Sequence, residues 1–231
     1  MDGSNALWAA AIGFLMVVAA PTRARAQRSI ALPEPSREGT LTIEKSLQTR
    51  RSVREFAQEP LQLKEVGQLA WAAQGVTSPD GLRTAPSAGA LYPLEILVVA
   101  NRVEDLPRGI YRYVPRSHAL VRVAEASATQ AKELARAAAE QEFVGEAPAV
   151  FVISAVERRT AAKYGPRARQ YVLLEAGCAI ENLALQAVAL DLGSVVVGAF
   201  DERAVASLLQ LEKAEEPLAL VPVGHPRRSG G

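Results

Sequence analysis

The chain has 231 residues but only one cysteine, Cys178, and two histidines, His118 and His225. A single cysteine excludes an intrachain disulfide and any cysteine-rich metal site. The histidines are far apart and have no companion at ligand spacing, so zinc chemistry is not expected and no metal is assigned. An excess of one charge is also missing: 26 Lys and Arg stand against 25 Asp and Glu, a formal net charge of +1. Nucleic-acid and membrane-surface proteins need a clustered basic field. Here the basic residues are dispersed, apart from short clusters at Arg50-Arg51, Arg158-Arg159 and Arg227-Arg228. Neither kind of partner is expected. No internal repeat is visible, and the one long apolar run, Ala6 to Ala20, is short for a membrane span.

That run has the form of an export leader. Ala24-Arg25-Ala26 offers small residues where a signal peptidase reads, with Gln27 as the mature start. Its flanks are unusual. Asp2 precedes the run without Lys or Arg, while Arg23, Arg25 and Arg28 follow it, against the positive-inside rule. Twin arginines that would mark export of a folded protein are absent. Residues 1–26 are therefore read as a signal peptide or membrane anchor, giving an exported protein, or a cytoplasmic one if translation starts downstream. Residues 27–39, with Pro33, Pro35, Ser36 and Gly39, read as a linker. Residues 40–228 then form one domain long enough for a sizeable core.

Within that domain the apolar spacing switches between helix and strand periods. Leu41, Ile43 and Leu47 suggest a short helix ending at Arg50, and Leu63, Val66, Leu69, Ala70 and Ala73 a second, stopped at Gly75. Ile96 to Ala100 reads as a buried strand. Residues 110–114 and 120–123 alternate as a hairpin about a turn at 115–118. An alanine-rich helix is expected over 131–141 and a strand buried on both faces over 149–154. Tyr171 to Leu192 reads as a long helix apolar on most sides, hence buried and central. A buried strand over 193–198, a helix capped by Asp201 and a closing strand over 218–223 complete an α+β order, helices grouped around a central sheet.

Three segments carry candidate chemistry. Arg83 to Glu95 sets Pro86 and Pro93 around the bare run Ser87-Ala88-Gly89-Ala90. The prolines stiffen the loop and the small residues leave backbone N–H groups uncovered. It reads either as a tight connection into the next strand or as a wall held against a flat ligand. Arg50-Arg51-Ser52-Val53-Arg54 could clamp a phosphate, since guanidinium forks match phosphate oxygens, or could simply be a solvated face. Gly224-His225-Pro226-Arg227-Arg228 adds a second cationic cluster after the last strand. Together these begin to describe a flat, phosphorylated cofactor.

With these pieces in order, the chain resembles the FMN-dependent nitroreductase superfamily, and within it the SagB/ThcOx-type dehydrogenases of azole formation. The resemblance spans roughly Thr40 to Arg228. It rests on residues 50–54 and 86–95, on Lys163-Tyr164-Gly165, on Glu175-Ala176-Gly177 with Asn182 to Leu185, on Gly193 to Gly198, and on Pro222-Val223-Gly224. It implies a nitroreductase-like α+β sandwich, a mainly antiparallel sheet with flanking helices, working as an entwined homodimer with FMN at the interface. It further implies that Arg50, Ser52 and Arg54 hold the phosphate and ribityl end, completed by Arg227 and Arg228. Pro86, Ser87 and Gly89 would reach the flavin from the partner subunit, and Val197, Gly198 and Ala199 would lie beside the ring with a backbone N–H directed at it.

In azole-forming relatives a Lys-Tyr pair is linked to proton removal, which would make Lys163 and Tyr164 catalytic. An amine pushed towards neutrality by apolar surroundings, beside a phenol, can serve as a general base. A surface lysine and a core-edge tyrosine read equally well, and Tyr92 is either flavin-proximal or core. Where family members often carry His and Gln this chain has Cys178 and Glu181, and Cys178 reads as an inert small hydrophobe. The implied activity is hydride transfer through FMN between NAD(P)H, or an organic small molecule or peptide with azoline-like character, and an acceptor. The alternatives are a general nitro- or quinone-type reductase and a non-catalytic flavin-binding partner subunit.

Overall fold

The computed structural model describes residues 29–125, 127 and 129–227, in which the apolar runs form one seven-stranded antiparallel sheet with helices on both faces. The expected leader over 1–26 lies outside the described residues. In chain order come β1 (Ser29–Ala31), α1 (Ile43–Thr49), α2 (Leu63–Gln74) and β2 (Leu94–Ala100). The hairpin β3 (Gly109–Val114) and β4 (Ala119–Glu125) follows, then α3 (Gln130–Ala137), α4 (Glu142–Glu146) and β5 (Ala149–Ala155). After α5 (Arg158–Tyr164) the long helix α6 (Ala168–Ala189) leads to β6 (Gly193–Ser194), α7 (Glu202–Leu208) and β7 (Glu216–Gly224). The strands lie in the order β1-β4-β3-β2-β5-β7-β6. This is the α+β sandwich expected from the sequence.

The period of two along the central strands builds two cores from one sheet. Ile96, Val98 and Ala100 of β2, Phe151 and Ile153 of β5 and Val221 and Val223 of β7 face one side, against Val66 and Leu69 of α2 and Val172, Ala176, Ala179 and Leu183 of α6. Leu97, Val99, Val150, Val152 and Leu220 face the other, against Leu134 of α3, Val144 of α4 and Val205 of α7. Burial on both faces explains why these strands read as unbroken apolar runs although they pair antiparallel.

Several expectations are corrected. The stretch 27–39 is not merely a linker: β1 pairs with β4, Leu32 is buried, and Ser36 N–H donates to Gln68 Oε1 at 2.8 Å. The helix expected over 131–141 stops at Ala137, because Ala139 and Glu140 take left-handed φ values of 55° and 59°, and α4 begins anew at Glu142. The strand expected over 193–198 is paired continuously only at Gly193–Ser194, with Val197 bridging alone to Leu220. The helix α5, which carries Lys163 and Tyr164, was not anticipated. Within one chain α6 buries only one stripe and exposes Leu173, Leu174 and Cys178, so Cys178 is a surface residue rather than part of the core.

Candidate cofactor site

Thr42 caps α1 through its hydroxyl, which accepts from Lys45 N–H, and the helix ends at Arg50, where the backbone turns extended. From there the chain runs along the sheet edge. Ser52 bridges Ser194 in parallel sense, and Val53 N–H donates to Ser194 O at 3.0 Å. Ala57 N–H donates to His225 O at 2.8 Å, and Arg227 N–H to Glu55 O at 2.9 Å. These backbone bonds bring two arginine clusters from opposite ends of the chain to one edge. The approach is close because residue 193 is glycine: a Cβ there would lie 2.6 Å from Val53 Cβ.

The arginines at this edge divide by role. Arg51 donates to Gln48 O at 3.0 Å and to Arg50 O at 2.7 Å, so it is spent on one open carbonyl of α1 and on the residue that caps it. Arg50 is only loosely paired, its Nε 3.6 Å from Glu181 Oε1 of α6 with both side chains well exposed. Arg54 lies over the Phe143 ring at 5.9 Å, and Arg227 is 4.0 Å from Glu55. Exposed pairs at such distances contribute little, so three guanidinium groups beside the exposed Ser52 stay available to an anion. Arg228 lies outside the described residues.

The chain turns out of the sheet after Val197. Its N–H donates to Leu220 O at 2.8 Å and its carbonyl accepts from Leu220 N–H at 3.0 Å. Val197 therefore has no free donor, so of the three residues expected beside a ring only Gly198 and Ala199 could supply the backbone N–H. Gly198 and Ala199 are exposed, and among the described residues neither N–H has a partner. Beside Gly198 there is open space where a side chain would otherwise sit.

The loop before β2 is stiff for a reason that composition only hinted at. Gly89, Ala90 and Tyr92 all have positive φ, at 62°, 54° and 46°. Non-glycine residues adopt this region at a cost of about 1–3 kcal/mol each, so neighbours must enforce it. Ala88 N–H donates to Glu175 Oε1 at 2.8 Å, Tyr92 N–H to Ser87 Oγ at 2.9 Å, and Asn182 Nδ2 to Thr84 O at 3.2 Å. Arg83 stacks on the Tyr92 ring at 4.3 Å, which makes Tyr92 part of the loop's support rather than of the deep core. Pro86 and Gly89 stay exposed, with Ser87 half-buried.

The same loop meets the Lys-Tyr pair within one chain. A Cβ on Gly89 would lie 3.0 Å from Lys163 Nζ and 3.1 Å from Tyr164 Oη. Lys163 ends α5 exposed, so no apolar wall of its own chain encloses the amine. Tyr164 is half-buried and stacks edge-on against Tyr171 at 4.8 Å. Behind the loop, Glu175 is only 5% exposed, and burial pushes its carboxyl up against the opposing pull of the Ala88 N–H and the Ser87 hydroxyl. Sequence reading gave Glu175 no role. Its signal was a carboxylate on the buried stripe of an otherwise apolar helix, where such a group is retained only with a partner.

Cations at one edge, free N–H groups at 198–199 and a rigid bare loop fit a phosphorylated ligand with a flat, polar-edged ring. Residues 47–225 match the model of the Nitroreductase family. The chain belongs to that family. This nitroreductase-family chain is 42% identical over 184 residues to the nitroreductase-family protein MJ1384 of Methanocaldococcus jannaschii, covering 80% of this chain and 91% of the relative. A crystal structure of a nitroreductase-family protein from Ralstonia eutropha superposes with a TM-score of 0.74 at 32% identity, over 88% of this chain and 91% of that one. The microcin B17-processing protein McbC of Escherichia coli is a further homologue, 28% identical over 59% of this chain and 53% of its own length.

Proposed function

We propose that the protein is an FMN-dependent oxidoreductase working as a homodimer. The observation that carries this reading is the backbone pairing that sets Arg50, Ser52, Arg54 and Arg227 on one edge. Those four residues would hold the phosphate and ribityl end. Gly198 and Ala199 would donate N–H bonds to the ring, and Pro86, Ser87 and Gly89 would wall it from the second copy. The homodimer is supported by apolar residues left uncovered on two packed helices, Ile43 and Leu47 of α1 and Leu173 and Leu174 of α6. They are already about half buried, so covering the rest of each would contribute about 1–1.5 kcal/mol.

When bound, FMN supplies two-electron redox chemistry that no side chain here can provide. The chain's own residues place and tune it. If the reductant is an organic molecule that loses hydride from carbon, the accompanying proton must be taken up, and Lys163 Nζ or Tyr164 Oη is positioned to take it beside Gly89. NAD(P)H as donor needs no such base. The homology to McbC favours an organic, azoline-like or peptide substrate of the SagB/ThcOx type. A purified yellow dimer, with about one FMN per chain and bleached by NAD(P)H or substrate, is the expected result. A colourless protein whose melting temperature FMN does not raise would overturn the reading, and a flavin-loaded monomer would overturn its interface.

A further inference from the structure

The strained loop is held at both ends by charged side chains from two different helices. At its start Ala88 N–H bonds Glu175 of α6 at 2.8 Å. At its end the Tyr92 carbonyl accepts from Arg159 Nη1 of α5 at 3.0 Å. Arg159 is itself fixed: its Nη2 lies 2.6 Å from Glu95 Oε1, and the other Glu95 oxygen is 3.1 Å from Arg112 Nη1. Arg112 then grips Glu215 at 2.8 and 3.0 Å, and Ser154 Oγ donates to Glu215 at 2.5 Å. Burial alone would weaken Arg112 as a cation, but its bonds to Glu215 and Glu95 outweigh that and raise it. These ion pairs run across β2 and β3 to Glu215 just before β7, where Ser154 of β5 adds its hydrogen bond.

Arg159 and Lys163 are four residues apart on α5 and so share one helix face. One side chain therefore ties the end of the loop to the helix that carries Lys163 and Tyr164. We propose that Arg159 and Glu175 are positioning residues, a clamp that holds the loop 88–92 with Gly89, Ala90 and Tyr92 left-handed and fixes the distance between the loop and the Lys163–Tyr164 pair. Neither is among the residues proposed to hold the flavin. The clamp's functional weight rests on the proposed flavin reading, whereas its structural part stands without it.

The test uses the full chain with Arg159→Ala and Glu175→Ala, and with Arg159→Lys and Glu175→Gln as conservative partners that each retain one hydrogen bond. Amide hydrogen exchange, followed by mass spectrometry without added flavin, should speed up in peptides covering 86–93 in both alanine variants and recover in the conservative ones. Peptides from the middle of β5 should not change. In flavin-loaded protein the alanine variants should lose kcat for substrate oxidation by about ten- to a hundredfold, as loss of near-attack geometry does. FMN content and KM should stay within about threefold of the unsubstituted chain. Unchanged exchange over 86–93 overturns the clamp, as does faster exchange with unchanged kcat, or flavin loss in proportion to activity. If the unsubstituted chain binds no FMN, the proposed function falls and the exchange result alone decides the clamp.

Discussion

Arg50→Ala separates an anion site from a decorated edge. In the flavin reading the substitution removes one charge-assisted bond to phosphate, about 1.5–3 kcal/mol. At about 1.4 kcal/mol per tenfold, that weakens FMN binding by roughly 10- to 150-fold. The other consequence is small. Arg50 gives up only a 3.6 Å contact with Glu181, with side chains 38% and 50% exposed, and such pairs contribute about 0–1 kcal/mol to stability. The apo melting temperature should therefore barely move. Fluorescence titration of apoprotein with FMN measures the first quantity and a thermal scan the second. Riboflavin, which lacks the phosphate, supplies the control: its binding should be equally strong to both proteins. Glu181→Gln should shift FMN affinity the other way, because it removes a carboxylate that competes for the same guanidinium. An unchanged FMN affinity in Arg50→Ala, or an equal loss for riboflavin, would refute the assignment of Arg50 to the phosphate.

The remaining expectations concern the loop, the edge and the leader. Lys163→Ala combined with Tyr164→Phe should keep flavin but slow substrate oxidation, leaving flavin reduction by NAD(P)H intact; wild-type oxidation rates would return the pair to a structural role. Burial raises the folded-state pKa of Glu175 above its usual value, so its stabilising contribution is present in acid and lost as pH climbs from about 4.5 through the raised value. Glu175→Gln has no such loss, and its melting temperature relative to wild type should improve between pH 4 and pH 7.5; a constant difference would contradict the sign. Gly193→Ala drives a Cβ to 2.6 Å from Val53 and should cost about 1–3 kcal/mol, lowering the melting temperature by several degrees and loosening residues 50–54. If residues 1–26 act as a cleaved signal peptide, the mature chain should begin at Gln27; N-terminal sequencing of the protein from cells would read this directly, and a chain that keeps those residues would be an anchored one instead.

Apolar periodicity determined much of this protein unaided. The runs at 96–100, 149–154 and 218–223 and the spacing of Val66, Leu69, Ala70 and Ala73 marked strands and helix correctly, because burial imposes period two or 3.6 on the residues themselves. The arginine clusters and the bare loop were visible for the same reason: their chemistry is local. What the tertiary structure alone decided was who meets whom. Backbone pairing of 53 with 194 and 227 with 55 depends on hydrogen bonds that any residue can make, so no side-chain pattern announces it. The end of the strand at Ser194 and the spent N–H of Val197, which bridges Leu220, follow from such backbone pairing rather than from Val195-Val196-Val197, whose composition argues for a strand. Left-handed backbone at Ala90 and Tyr92 is likewise invisible in alanine and tyrosine, since the neighbours that enforce it, Glu175 and Arg159, lie on helices far along the chain.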